Sequence, residues 1–267
     1  MNKFDAINQD YLLNEQYKDA FNFNTRLHTI QRLSTQPVDW YPWIFGLMKK
    51  TPRSRVLELG CGPGYLWQKN LDHIPPTWEV TLSDFSPGML KEAQNNLSQS
   101  GRHFIFQVID AQAIPFEADS FDILVANLML YHVPDRPRAF AEIRRVLKAD
   151  GTFYAATVTA TAFAALEKLI SAAGMLSWED ALGFSLEDGA EQIARWFSRI
   201  ELHRLENTLV VTEAEPLLAF VRSVTPQGQY SEATFQRLRE LIQQELSQHG
   251  EMRINMDMGL FEVSGGK

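Results

Sequence analysis

The feature that most constrains this chain begins near Arg53, where short apolar runs of strand length start to alternate with longer segments of helical spacing. The run 55–59 ends in the cluster Gly60-Cys-Gly-Pro-Gly64, and the run 78–83 ends at Asp84. The runs 104–109 and 121–126 end at Asp110 and Asn127, and a fifth covers 152–158. Between them lie helical segments at 65–71, from Ser86 to Leu97, and at 135–147, the last with Phe140, Ile143, Val146 and Leu147 on one face. Ser86 reads as an N-cap with Pro87 in the first helical position. Five strands alternating with helices predict right-handed crossovers and a parallel sheet covered on both faces. In such a sheet, ligands bind outside the carboxyl ends of the strands, so the residues that end each run carry the chemistry.

Outside this region the texture is helical. Residues 4–50 alternate polar residues with Phe4, Ile7, Tyr11, Leu12, Tyr17 and Phe21, and then enter the aromatic stretch from Trp40 to Met48. Trp40, Tyr41, Trp43 and Phe45 read equally as a buried helix and as a pocket wall. Helical texture returns over 159–195, a strand is expected around 209–212, 235–246 has the spacing of a core-facing helix, and a strand pair is expected within 252–263. The domain plan is therefore an N-terminal helical lid at 1–50 and a core at 51–158. Cap helices follow at 159–195 and 213–249, with terminal strands at 196–212 and 250–267 completing the sheet.

Composition limits the function. The 267 residues are 45% hydrophobic and 22% charged, which fits a globular protein. A net charge of −8 opposes general affinity for nucleic acid. The single cysteine, Cys61, can form no internal disulfide and rules out multi-cysteine zinc sites; it reads as a small residue in the glycine turn. No metal site is expected. The amino terminus lacks the apolar core of a secretory signal, and no window approaches the ~20 apolar residues of a membrane helix. A cytoplasmic protein is expected.

The strand ends describe an adenosine site. Gly60, Gly62 and Gly64 let backbone approach a ligand where a β-carbon would clash. Asp84, twenty residues beyond Gly64, suits ribose hydroxyls. Asp110 can accept from an exocyclic amine such as adenine N6. A dinucleotide turn wants a glycine where this chain has Tyr65, and Glu58 would set an anion near a pyrophosphate. A cofactor with a cationic amino acid tail tolerates that acid, which favours S-adenosylmethionine. A nicotinamide-dependent oxidoreductase and a non-catalytic S-adenosylmethionine-binding protein are the competing readings.

Val56-Leu-Glu-Leu-Gly-Cys-Gly-Pro-Gly64 resembles the first motif of the class I S-adenosylmethionine-dependent methyltransferases. The resemblance continues through 82–90, 110–116, 120–127, 130–135 and 142–151, and is similar to the small-molecule branch that includes the ubiquinone and menaquinone biosynthesis C-methyltransferases. It implies a Rossmann-like, doubly wound, mostly parallel seven-stranded sheet with an N-terminal helical lid and an inserted helical cap. It also implies S-adenosylmethionine as cofactor, S-adenosylhomocysteine as product and a small-molecule methyl acceptor. By the same resemblance Gly60, Gly62 and Gly64 lie beneath the methionine and ribose, and Glu58 orients the cofactor's amino group. Asp84 holds the ribose diol, Phe85 and Met89 flank adenine, Asp110 and the Ala111 amide read its edge, and Asn127 faces the methionyl part. His132, with Tyr131 beside it, is the candidate base just past the fourth strand. Arg26 and Arg32 read as solvated surface, with the alternative that they reach the cofactor carboxylate from the N-terminal segment. Carbon, oxygen and nitrogen acceptors stay open, as does the oligomeric state.

Overall fold

The computed structural model describes residues 8–36, 38–49, 51–176 and 183–266. The N-terminal segment starts with a single turn, α1 (Gln9–Tyr11), that widens into a π-helix at Leu12–Gln16, followed by α2 (Phe21–Leu33) and α3 (Trp40–Leu47). Then come β1 (Arg55–Leu59), α4 (Tyr65–Gln68), β2 (Glu79–Asp84), α5 (Pro87–Leu97), β3 (Phe104–Val108), β4 (Phe121–Asn127), α6 (Arg136–Val146) and β5 (Leu147–Val158). The remainder holds α7 (Ala164–Ala172), α8 (Gly189–Ile193), β6 (Phe197–Leu205), β7 (Thr208–Val211), α9 (Glu215–Val224), α10 (Glu232–His249), β8 (Met252–Asn255) and β9 (Met258–Gly266).

Seven strands form one sheet in the order β3-β2-β1-β4-β5-β9-β6, with β1 to β5 parallel and β9 antiparallel to both its neighbours. This is the doubly wound, mostly parallel sheet read from the sequence. Its central strands are apolar on both faces because helices cover both: Val56 packs into one core with Trp67 and Leu90, while Leu57 packs into the other with Phe140 and Phe153. The predicted caps are present. Ser86 Oγ accepts from the Met89 amide at 3.2 Å, and the Asp135 side chain accepts from the Arg138 amide at 3.0 Å. The pairing Leu59↔Ser83 and Leu59↔Ala126 brings the ends of β1, β2 and β4 level, so Gly60, Asp84 and Asn127 emerge along one edge.

The terminal strands differ from expectation. Residues 208–211 and 252–255 do not complete the large sheet; β7 and β8 pair with each other as a separate ribbon. The rest of the expected terminal segments, 196–212 and 250–267, enters the sheet as β6 and β9. β6 is an edge strand carrying Arg199, Glu201, His203 and Arg204, and those charges hide it from a search for apolar runs. The strand pair expected within 252–263 is likewise split, with one strand in each sheet. The bridge between Ser34 and Leu209 ties the end of α2 to the ribbon, and α2 also packs along α9, so the N-terminal segment and the C-terminal helices roof the same strand ends. Residues 1–7 and 177–182 of the expected lid and cap lie outside the described residues. Among the described residues, no helix is long and apolar enough to cross a membrane.

The front of the lid rests directly on α5. Ser86 Oγ donates to the Tyr17 carbonyl at 2.6 Å, and a β-carbon on Gly88 would stand 1.9 Å from the Lys18 carbonyl oxygen. Backbone cannot yield as a flexible side chain does. Gly88→Ala is therefore expected to push residues 8–20 off α5, costing about 1–3 kcal/mol in denaturant unfolding. Limited proteolysis is expected to cut the N-terminal segment faster while the sheet core survives.

Candidate functional site

The turn after β1 is built by three glycines with φ of +67° at Gly60, +53° at Gly62 and +78° at Gly64. That left-handed region crowds a β-carbon. A β-carbon at Gly60 would also stand 2.8 Å from the Met129 side chain, whereas one at Gly62 would project into open space. The Gly62 amide donates to Asp84 Oδ2 and the Ser86 amide to Asp84 Oδ1, each at 2.8 Å. Burial pushes the Asp84 carboxyl up to about 6, against the pull of these amides. The Phe85 amide adds to the pull of these two, and the carboxylate keeps acceptor capacity for a ligand.

Glu58, only 1% exposed, sits one residue before the end of β1 and accepts a 2.5 Å hydrogen bond from the Trp67 indole. Burial pushes it up to about 8; the indole N–H opposes the shift and the nearby Asp84 adds to it. The expected flanking residues are in place along the same cavity, with Met89 buried, Phe85 half-buried and Ala111 buried. Asp110 lies there too, its Oδ1 already accepting from the Gln112 amide at 2.8 Å and its Oδ2 from the Gln112 side chain at 3.1 Å. Asn127 Oδ1 accepts from the Trp40 indole at 3.1 Å, which fixes the amide's orientation and joins α3 to the end of β4. Tyr65, at the position where a dinucleotide turn wants glycine, points its hydroxyl away to Asn24 at 2.9 Å.

All twelve expected site residues except Gly64 line one cavity of about 1130 Å³. Gly64 instead packs against Ala93 and Leu97 of α5, where a β-carbon would approach each to 3.2 Å. The cavity exceeds the roughly 300–1,000 Å³ of an ordinary ligand pocket. Besides the glycine turn it is lined by Leu27 and Ile30 of α2, Phe220 and Val224 of α9, and Phe163 and Met256 from the segments beside α7 and the ribbon.

Tyr131 and His132 line the cavity from the short turn Leu130–His132 after β4. His132 Nε2 is 2.9 Å from the Tyr17 hydroxyl, and the two rings meet edge to face. The π-helical turn before Tyr17 is fastened by the Tyr11 hydroxyl donating to Gln16 Oε1 at 2.6 Å. Burial pushes the Tyr131 phenol up, so it stays protonated and can donate but not act as a base near neutrality. Cys61 also lines the cavity, but burial first and the charges of Asp84 and Glu58 next push its thiol well up, which removes it as a nucleophile.

Sequence reasoning missed Tyr17, left Trp40 open between a buried helix and a pocket wall, and missed Trp67. Their partners lie 115, 87 and 9 residues away, so no local spacing marks the first two, and Trp67 reads simply as core. Arg26 is not solvated surface: it lines the cavity, lies over the Tyr17 ring and donates to the Ser223 carbonyl at 3.0 Å. Arg32 is solvated and pairs with Glu213. Glu201, His203 and Glu262 cluster on β6 and β9 away from the cavity lining, where Glu262 already pairs with Lys49 at 2.8 Å.

Residues 57–155 match the family model described as a methyltransferase domain. Malonyl-[acyl-carrier protein] O-methyltransferase of Geobacter sulfurreducens is 30% identical over 149 residues, covering 56% of this chain and 52% of that protein. The ubiquinone/menaquinone biosynthesis C-methyltransferase of Bordetella avium is 31% identical over 112 residues, covering 42% of this chain and 44% of that one. The chain thus spans about half the length of these curated relatives. In fold it resembles phosphoethanolamine N-methyltransferase 2 of Haemonchus contortus, solved with phosphomonomethylethanolamine and S-adenosylhomocysteine. That likeness has a TM-score of 0.59 at 20% identity and covers 97% of this chain and 60% of that one. Over 57–155 the chain is therefore similar to methyltransferase domains in sequence, and over most of its length it is similar to solved methyltransferases in fold.

Proposed function

We propose that the chain transfers a methyl group from S-adenosylmethionine to a small-molecule acceptor. The observation that carries this reading is a single cavity of about 1130 Å³, lined by a glycine turn, the buried Glu58 and the half-buried Asp84 and also by apolar residues from the helices above. It has room for a cofactor and a second molecule.

The residues fit the cofactor. Glu58 is a buried acid with no basic side chain in contact among the described residues, and a ligand ammonium would supply the missing cation. The open space left by Gly62 would take ligand atoms, and Asp84 would accept from ribose hydroxyls through its remaining acceptor capacity. Phe85 and Met89 would flank adenine, the Ala111 amide and Asp110 would meet its edge, and Asn127 would face the methionyl part. Gly60 and Gly64 shape the turn from behind, against Met129 and α5. S-Adenosylmethionine supplies an electrophilic methyl group on a sulfonium when bound.

The chain's task is alignment, exclusion of water and control of the acceptor's proton. The roof supplies the first two. For the third, His132 Nε2 and the Tyr17 hydroxyl form a hydrogen-bonded pair that can accept a proton on one side and hold it on the other. Tyr131 stays a donor beside them. The single cysteine suits a cytoplasmic setting. An acyl group on a carrier, as named for the Geobacter relative, belongs in any acceptor panel beside free small molecules.

Calorimetry with S-adenosylhomocysteine is expected to give saturable one-to-one binding. Asp84→Ala is expected to weaken it roughly ten- to hundred-fold, the worth of hydrogen bonds to a charged acceptor. Absence of saturable binding in the unmodified protein would overturn the reading.

The acids set a pH dependence. Because the Glu58 carboxyl is raised from 4.5 to about 8 in the folded chain, its contribution to stability is present below 4.5 and is lost as pH rises through 8. A bound ammonium reverses that preference. Affinity for S-adenosylhomocysteine is therefore expected to rise between pH 6 and about 8, with proton release on binding near neutrality, read by calorimetry in two buffers. Glu58→Gln is expected to flatten this rise. Trp67→Phe, which leaves Glu58 without its donor, is expected to cost about 1–3 kcal/mol in denaturant unfolding near neutral pH.

A further inference from the structure

Phe163 has a backbone that its side chain disfavours. Its φ is +64° and its ψ is 13°, a left-handed conformation that is an outlier for a bulky residue. Such a conformation persists where its surroundings over-determine it, and it gathers at functional sites. Both conditions hold. The Phe163 amide donates to the Asn255 carbonyl of β8 at 3.3 Å, and its carbonyl accepts from the Glu167 amide at 2.9 Å. The ring lies against Phe220 of α9, with centroids 4.5 Å apart and planes at 33°. Both rings line the same cavity as the glycine turn, in company with Leu27, Ile30, Val224 and Met256. Four non-glycine residues among those described have positive φ, and of these Leu128 and Phe163 line the cavity. Phe163 and Phe220 also fall outside the stretch that matches the methyltransferase family, so the features shared with that family do not account for them.

A glycine at 163 would satisfy the backbone at no steric cost. What it would not supply is a ring face. Leu27, Ile30, Val224 and Met256 offer an acceptor apolar bulk, and the aromatic pair adds a ring face to it. Aromatic rings reward another ring, offset or edge-on, beyond the area they bury.

We propose that Phe163 is a specificity-determining residue, whose ring with Phe220 walls the acceptor chamber and selects acceptors carrying a flat, unsaturated ring system. This rests on the reading that the cavity seats an acceptor beside S-adenosylmethionine. Leu27, Ile30, Val224 and Met256 fill in around the bound ring, and Met256 adapts to its outline.

The test titrates the full chain with 2-naphthol and with its saturated counterpart 2-decalol, by calorimetry, both with and without saturating S-adenosylhomocysteine. The unmodified protein is expected to prefer 2-naphthol by roughly two- to ten-fold. Phe163→Leu keeps the apolar bulk, removes the ring face, and is expected to bring the ratio to about one. Phe163→Gly is expected to do the same, with the relief of its left-handed backbone offsetting part of the stability lost with the ring contact to Phe220. Both variants are expected to bind S-adenosylhomocysteine as the unmodified protein does. An equal affinity for the two probes in the unmodified protein, no binding of either at its solubility limit, or a preference that survives Phe163→Leu would each overturn the proposal. Loss of S-adenosylhomocysteine binding in the unmodified protein strikes the methyltransferase reading instead, since the ratio measured without it still decides the role of Phe163.

Discussion

The hydrogen bond from the Gly62 amide to Asp84 is the contact on which the rest of the site depends. It fastens the turn after β1 to the end of β2, and Asp84 passes the constraint on by accepting from the Ser86 amide at the start of α5. Ser86 in turn holds the Tyr17 carbonyl, and Tyr17 reaches His132 beyond β4. One short chain of polar contacts therefore runs from the glycine turn, through the first residues of α5, into the lid and back to the far side of the sheet. Each member is placed by a piece of regular structure: a level strand end, an N-cap or a π-helical turn.

The electrostatics of this arrangement are those of a site prepared for a partner. A buried acid and a half-buried one lie within reach of one another, and both are pushed towards their neutral forms, Glu58 to about 8 and Asp84 to about 6. Neither is neutralised by a basic residue among the described ones; their hydrogen bonds come from an indole and from backbone amides. Burying charge in this way works against folding unless a bound cation and hydroxyls offset it. Function and stability therefore pull in opposite directions at the end of β1.

What the sequence made legible was the local half of the site. Gly60, Asp84, Asp110 and Asn127 could be read because each stands where a strand stops, and in a parallel sheet the stops line up whatever the intervening helices contain. Glu58 was legible for its sign alone. The nonlocal half was not. Tyr17 owes its role to a partner after β4, Trp40 to Asn127, and Phe163 to a helix more than fifty residues later. Such pairings leave no trace in spacing, since an aromatic on a helix looks the same whether it faces core or cavity. The same limit explains β6, whose exposed charges mask its period, and the ribbon of β7 and β8, which looked like part of the sheet because strand character does not say which edge a strand joins.

The insertion of β9 between β5 and β6 has a consequence for how the molecule is made. β6 has no other neighbour in the sheet, so although it is synthesised some fifty residues earlier it must wait, unpaired, for β9 to arrive. The parallel block from β1 to β5 can assemble with its glycine turn during synthesis, but the chamber wall that includes Met256, and the Asn255 carbonyl that holds Phe163, come only with the final strands. In this order of synthesis the glycine-turn part of the cavity lining precedes the part that includes Phe163, Phe220 and Met256, and the waiting β6 is a charged strand that resists pairing with the wrong partner.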